Sequence, residues 1–186
     1  MEQPRLSLYT IDMKYIRNLA KADDNVMSVS PQIKKQKRPF VGILVLLNNR
    51  NYCIPLTSPK LKHENRKNSL DFMKITHPTE KNDKGACRII GGLNINNMVP
   101  VVPKFLKKID LNVTRTDSDE TRKYKELMKN QLTFCQANQN LILKRANKLY
   151  DIVTKYPSQN ARLTRRCCDF KKLEKVLDKY LESGRN

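Results

Sequence analysis

The chain has no tryptophan, five glycines and two histidines, and its 18 acidic residues are outnumbered by 37 lysines and arginines. Each scarcity removes a class of function. Without tryptophan, and with five Phe and seven Tyr, a nucleobase-stacking platform would be sparse. No glycine-rich segment ends in Gly-Lys-Ser or Gly-Lys-Thr, which excludes a phosphate-cradling P-loop. No serine stands in a Gly-x-Ser-x-Gly elbow. The acids are scattered, and the cluster at 117–120 reads as a helix start, so the carboxylate group that two divalent ions require is missing. Cys53, Cys87, Cys135, Cys167 and Cys168 are odd in number and lack Cys-x-x-Cys spacing, and His63 and His77 complete no zinc pattern. They read as reduced thiols used as small apolar side chains. We therefore expect no metal and no cofactor. Nor does any apolar run approach the roughly 18 residues of a membrane span, and the segment Met1-Glu2-Gln3-Pro4 has no signal core. The expectation is a cytoplasmic protein without a membrane partner.

What is present is charge, on a chain long enough for one packed domain. The 186 residues suffice for a domain that buries roughly 70% of its unfolded surface, and we read residues 1–186 as a single domain. The formal net charge is +19. A surplus of that size favours a polyanionic partner, because each phosphate neutralised releases counterions.

Periodicity predicts an α+β chain. Residues 5–11 alternate as a short strand, and Asp12 caps a helix to about Ala22 with Tyr15, Ile16, Leu19 and Ala20 on one face. Phe40 to Leu47 is an apolar run suited to the middle of a sheet. It returns through Asn48-Asn49-Arg50-Asn51 into a second strand, Tyr52 to Leu56. Further strands are expected at Leu70 to Ile75, at Ala86 to Ile95 with a bulge at Gly91-Gly92, and at Met98 to Val102; His77 to Gly85 reads as a polar loop. Three helices follow, opening at 117–120, at about Asn140 and at about Cys168. The fold expected is a twisted antiparallel sheet with helices packed around it.

One motif carries chemistry. Ile54-Pro55-Leu56-Thr57-Ser58-Pro59-Lys60 ends the hairpin and runs into Lys62-His63 and Arg66-Lys67. Pro55 and Pro59 stiffen the backbone and remove amide donors. The strand's entry carries Lys34, Lys35, Lys37 and Arg38, and an antiparallel pair brings entry and exit to the same end. Cleaving RNA without a metal requires the 2′-hydroxyl to lose a proton, the phosphorane to be stabilised and the 5′-oxygen to gain a proton. Hydroxyls, an ammonium and an imidazole are the types that serve those needs. Ser-Pro and Thr-Ser are also ordinary turn residues, and Lys60 alone is also an ordinary surface charge. His63 is a secondary candidate, and His77, in Thr76-His77-Pro78, reads as a loop residue.

These residues, with others along the chain, resemble the ToxN/AbiQ family of endoribonuclease toxins from bacterial type III toxin–antitoxin systems. The resemblance runs through Tyr9-Thr10-Ile11 and Lys14-Tyr15-Ile16, then Phe40-Val41-Gly42-Ile43, Tyr52 and Pro55 to Lys60 with His63. It continues in Asn97-Met98-Val99-Pro100-Val101, Tyr124-Lys125, Gln131-Leu132, Phe134 and Ala137-Asn138. It implies a sheet of the Kid/MazF type and a metal-independent RNase leaving 2′,3′-cyclic phosphate and 5′-hydroxyl ends. It also implies an antitoxin that is a tandemly repeated RNA pseudoknot, assembled with the toxin in a closed ring, commonly of three proteins and three RNAs. By position, Thr57 and Ser58 would orient the phosphate and the 2′-hydroxyl, and Lys60 would stabilise the phosphorane. Arg38, or Lys37 beside it, stands where the family uses a lysine, and Lys34 replaces an aromatic residue of that stretch. The expected site is thus Thr57, Ser58, Lys60, Arg38 and His63. RNA would be gripped by Lys34, Lys35, Lys37, Lys62, Arg66 and Lys67, and on a second face by Arg162, Arg165 and Arg166. Two rivals remain: a non-catalytic RNA-binding protein such as an RNA chaperone or ribosome-associated protein, and a DNA-binding regulator, which lacks a helix-turn-helix signature.

Overall fold

The structure, a computed structural model, describes residues 5–27 and 41–183. Lys34, Lys35, Lys37, Arg38 and Phe40 lie outside that range. The first strand, β1 (Leu8–Ile11), passes directly into α1 (Met13–Ala22), where Asp12 Oδ1 accepts a hydrogen bond from Tyr15 N at 2.8 Å. That cap satisfies one orphan donor of the first turn. Tyr15, Ile16 and Leu19 then fall on the buried face.

Strands β2 (Val41–Leu47) and β3 (Arg50–Thr57) form the expected hairpin. Its turn is tighter than the sequence suggested, because Leu47 pairs with Arg50 and leaves two turn residues. Asn48 and Asn49 take φ of 47° and 61°, the left-handed pair that a type I′ turn demands and that asparagine tolerates. After the short α2 (Lys62–Asn65) come β4 (Phe72–Lys81), β5 (Cys87–Asn94), β6 (Val99–Val101) and β7 (Leu106–Lys108). The sheet is antiparallel in the order β4-β5-β3-β2-β1-β7, with β6 also paired to β3. β2 is internal, as its continuous apolar run required.

Two expectations are corrected. His77 to Lys81 is strand rather than loop, and the turn is confined to residues 82–86. His77 is accordingly buried, with Nδ1 accepting from Glu80 N at 2.9 Å. The irregularity in β5 falls one residue before the glycines: Ile75 pairs with Gly91 and Thr76 with Ile89, so Ile90 is the extra residue.

The helical half comprises α3 (Asp119–Ala137), α4 (Gln139–Lys155), the short α5 (Ala161–Thr164) and α6 (Phe170–Ser183). Ser118 caps α3 by accepting from Thr121 N at 3.2 Å. α6 is fastened to the sheet by a buried polar cluster. Tyr52 and Tyr150 each donate a hydroxyl to Glu174 at 2.7 Å, and Lys171 donates at 2.9 Å. Burial pushes the Glu174 carboxyl up, but those three hydrogen bonds outweigh it and hold the group below the usual range. At the far end of β3 from Thr57, Arg50 clasps Asp178 at 2.8 Å. Cys53, Cys135, Cys167 and Cys168 are buried, as expected of core thiols, whereas Cys87 is exposed. Among the described residues no helix is long and apolar enough to cross a membrane.

Candidate active site

The register of three strands builds the site. Thr57 is paired with Gly92, and Gly92 with Lys74. Residues opposite one another in neighbouring strands point to the same face, so Thr57, Gly92 and Lys74 form one row. At about 4.8 Å per strand the row spans about 10 Å. Thr57 Oγ1 donates to Gly92 O at 3.4 Å. The middle position has no room for a side chain: a Cβ on Gly92 would lie 2.6 Å from the Phe72 ring and 3.3 Å from Thr57 Oγ1.

Phe72 is the pillar beside this row. It lies two residues before Lys74 and so shares its face. The His63 ring leans on it with centroids 5.4 Å apart, and the Arg66 guanidinium sits over it at 3.6 Å. That cation–π contact is worth about 1 kcal/mol and fixes the guanidinium over the ring. The Lys74 ammonium donates to Glu64 O at 2.7 Å, tying the end of α2 to β4. Strand and loop therefore set Thr57 and Lys74 in one row and His63 and Arg66 on the Phe72 ring beside it, with Ser58 next to Thr57 in the chain and Lys60 and Lys62 exposed on the connecting turn.

The opposite face of the same strands is covered by α3. Gln131, 4% exposed, donates through Nε2 to Ile90 O at 2.8 Å and to Thr57 O at 3.3 Å. Ile90 is the bulged residue, and Gln131 bonds its carbonyl. A Cβ on Gly91 would collide with that amide and lie 2.5 Å from Thr57 O. Gln131 thus positions the backbone of Thr57 from behind the sheet.

His63 is 2% exposed, and its Nδ1 is enclosed without a partner among the described residues. Burial first, then the charges of Lys62, Lys60, Arg66 and Lys74, pull its pKa below the ordinary imidazole value. The ring is consequently neutral near pH 7.

The remaining expected residues are placed as follows. Lys67 is exposed just beyond Arg66, and Arg162 and Arg165 are exposed around α5. Arg166 is engaged: its Nε donates at 2.5 Å to Asp71, a carboxylate that also accepts from Ser69 at 2.7 Å. Burial raises the Asp71 pKa, but the bonds from Arg166 and Ser69 outweigh that and hold it low. Gly92, Lys74, Phe72 and Gln131 were not singled out as site residues from the sequence. Gln131 was noted within a family-like helix and the glycine pair as a bulge, which were the available signals.

Hydroxyls, an imidazole and exposed ammonium groups thus lie at one end of an antiparallel sheet, on a chain of formal net charge +19. Residues 7–178 match the family model described as Toxin ToxN, type III toxin–antitoxin system. The chain belongs to that family. It is 33% identical over 177 residues to Endoribonuclease ToxN of Bacillus thuringiensis subsp. kurstaki, covering 94% of this chain and 84% of that protein. To Endoribonuclease ToxN of Pectobacterium atrosepticum it is 28% identical over 182 residues, covering 97% and 95%. A solved type III structure concerned with selective toxin inhibition by a non-coding RNA pseudoknot superposes with TM-score 0.75 at 30% identity, over 96% of this chain and 99% of that one. The lactococcal anti-phage endoribonuclease AbiQ shares the fold at 21% identity, with TM-score 0.77 over 96% and 99%.

Proposed function

We propose that this toxin cleaves RNA without a metal, at the groove between the Thr57–Gly92–Lys74 row and α2. The observation that carries the reading is the row itself, which sets a catalytic-type hydroxyl and a lysine on one face beside the Ser58–His63 turn. The 2′-oxygen forms a bond to phosphorus as the bond from phosphorus to the 5′-oxygen breaks. The 2′-hydroxyl proton passes to the His63 imidazole, and the 5′-oxygen takes a proton from water, giving a 2′,3′-cyclic phosphate and a 5′-hydroxyl. Thr57 and Ser58 orient the phosphate and the 2′-hydroxyl. Lys60 offsets the charge that accumulates on the phosphorane, with Arg38 or Lys37 as a second cation. Lys34, Lys35, Lys62, Arg66 and Lys67 extend the electrostatic path for the strand, and Arg162 and Arg165 supply a further basic surface.

In the cytoplasm, the inhibitor on this reading is a repeated pseudoknot RNA that fills the same groove. Three toxins alternating with three RNAs would close a ring. Such a ring needs a heterologous contact, with RNA on two separate surfaces of each protein. The test is Ser58→Ala. It should abolish growth inhibition on overexpression while RNA affinity stays within a few-fold. Undiminished toxicity would remove Ser58 from the mechanism, and lost binding would favour a purely RNA-binding role for the loop.

A further inference from the structure

The catalytic row does not end at Lys74. It opens into a groove of about 670 Å³ between α2 and the β4–β5 hairpin, lined by Glu64 and Asn65 on one wall and by Lys74, Thr76, Lys84 and Arg88 on the other. Lys74 and Thr76 alternate with the core-facing residues of β4, so the groove lies on the same sheet face as Thr57. Its volume falls within the range of small-ligand sites. Lys74 belongs to both places, because its bond to Glu64 O joins the two walls.

Three of the polar side chains here, Lys74, Asn82 and Arg88, are already committed. Arg88 pairs with Glu80 at 2.6 Å, and the Asn82 side chain accepts from Lys84 N and Ala86 N to hold its own turn. The carboxylate of Glu64 and the carboxamide of Asn65 have no partner among the described residues, and both stand exposed at the lip. No aromatic side chain lines the groove.

We propose that this groove seats the base of the unpaired nucleotide adjoining the scissile phosphate, and that Glu64 and Asn65 read its edge. A carboxylate accepts from the amino groups of cytosine, adenine or guanine, and a carboxamide both donates and accepts, so the pair discriminates by hydrogen bonding. Single-stranded RNA is recognised in this manner once its bases are splayed out. Lys84, on the far rim, meets the next phosphate and contributes position rather than sequence. Lacking a stacking surface, the site selects exocyclic groups rather than ring size. The about 10 Å from Thr57 to Lys74 is a reach that the neighbouring nucleotide covers.

This inference rests on the cleavage reading, and the experiment separates the two. A random-sequence single-stranded RNA pool is cut with the wild type, Asn65→Ala and Glu64→Gln, and the product ends are sequenced. Base preference at one position next to the cut should fall about tenfold in the variants, with preferences elsewhere retained. Unchanged preference at every position, or an even loss at all of them, overturns the subsite. If the wild type does not cut, the cleavage reading fails instead. The subsite is then decided by affinities for short RNAs bearing a 2′-deoxynucleotide at the cut position and each base beside it. Equal discrimination by wild type and variants overturns it there too.

Discussion

Gln131 donates to two backbone carbonyls, and one of them belongs to Thr57. Gln131→Leu should therefore lower stability by about 1–3 kcal/mol for each carbonyl orphaned and slow single-turnover cleavage about tenfold. RNA affinity should stay within about threefold. Glu174→Gln is the control, since it disturbs a buried cluster at the α6 side of the sheet. If both variants lose stability equally and cleave equally well, Gln131 is structural only. His63 supplies a second test. Its folded-state pKa lies below the ordinary 6.5, so on acidification the imidazole of the free enzyme stays neutral past the point where an exposed histidine would be charged. The acid limb of kcat/KM, which reports the free enzyme, should fall below pH 6.5 and disappear in His63→Ala. A limb at or above that value would remove His63 as proton acceptor. Thr57, Ser58 and Lys60 stand out in the sequence because they fall within four residues of one another around Pro59. Lys74, Gly92 and Gln131 do not, because only strand pairing and helix packing bring them to Thr57.

Strand β4 shows why an element boundary can hide in a sequence. Pro78 and the polar residues around it read as a loop, yet β4 is the edge of the sheet, where a proline's missing donor faces solvent. β7 was missed for a different reason: three residues carry too little periodicity to register. The β4–β5 pair also fixes the groove, through Gly92 and the Phe72 ring. Gly92→Ala should cost about 1–3 kcal/mol by overpacking, measured by denaturant unfolding, and should weaken cleavage as Phe72 shifts beneath His63 and Arg66. An unperturbed Gly92→Ala protein would mean that the ring is not confined there. α6 makes its own prediction. With Glu174 and Asp71 depressed in the folded state, their stabilisation is complete above the unfolded carboxylate values near pH 4 and is lost as pH falls further. Thermal midpoints should hold from pH 7 to about 5 and drop below about 4. Glu174→Gln should flatten part of that drop.

The whole molecule is a polycation of formal net charge +19. Its composition predicted a polyanionic partner and its periodicity an antiparallel α+β fold, and the sheet with its packed helices bears out the fold. If about six phosphates are engaged, log affinity for single-stranded RNA should fall with log salt at a slope near −4. A flat response would contradict a groove held by lysines and arginines. The chemistry is the central claim, and one assay addresses it directly. Purified protein, freed of bound RNA by denaturation and refolding, is incubated with a defined RNA in EDTA, and the product termini are mapped. Cyclic phosphate and 5′-hydroxyl ends at a few preferred sites are the predicted result. RNA that binds yet stays intact in EDTA would contradict the account.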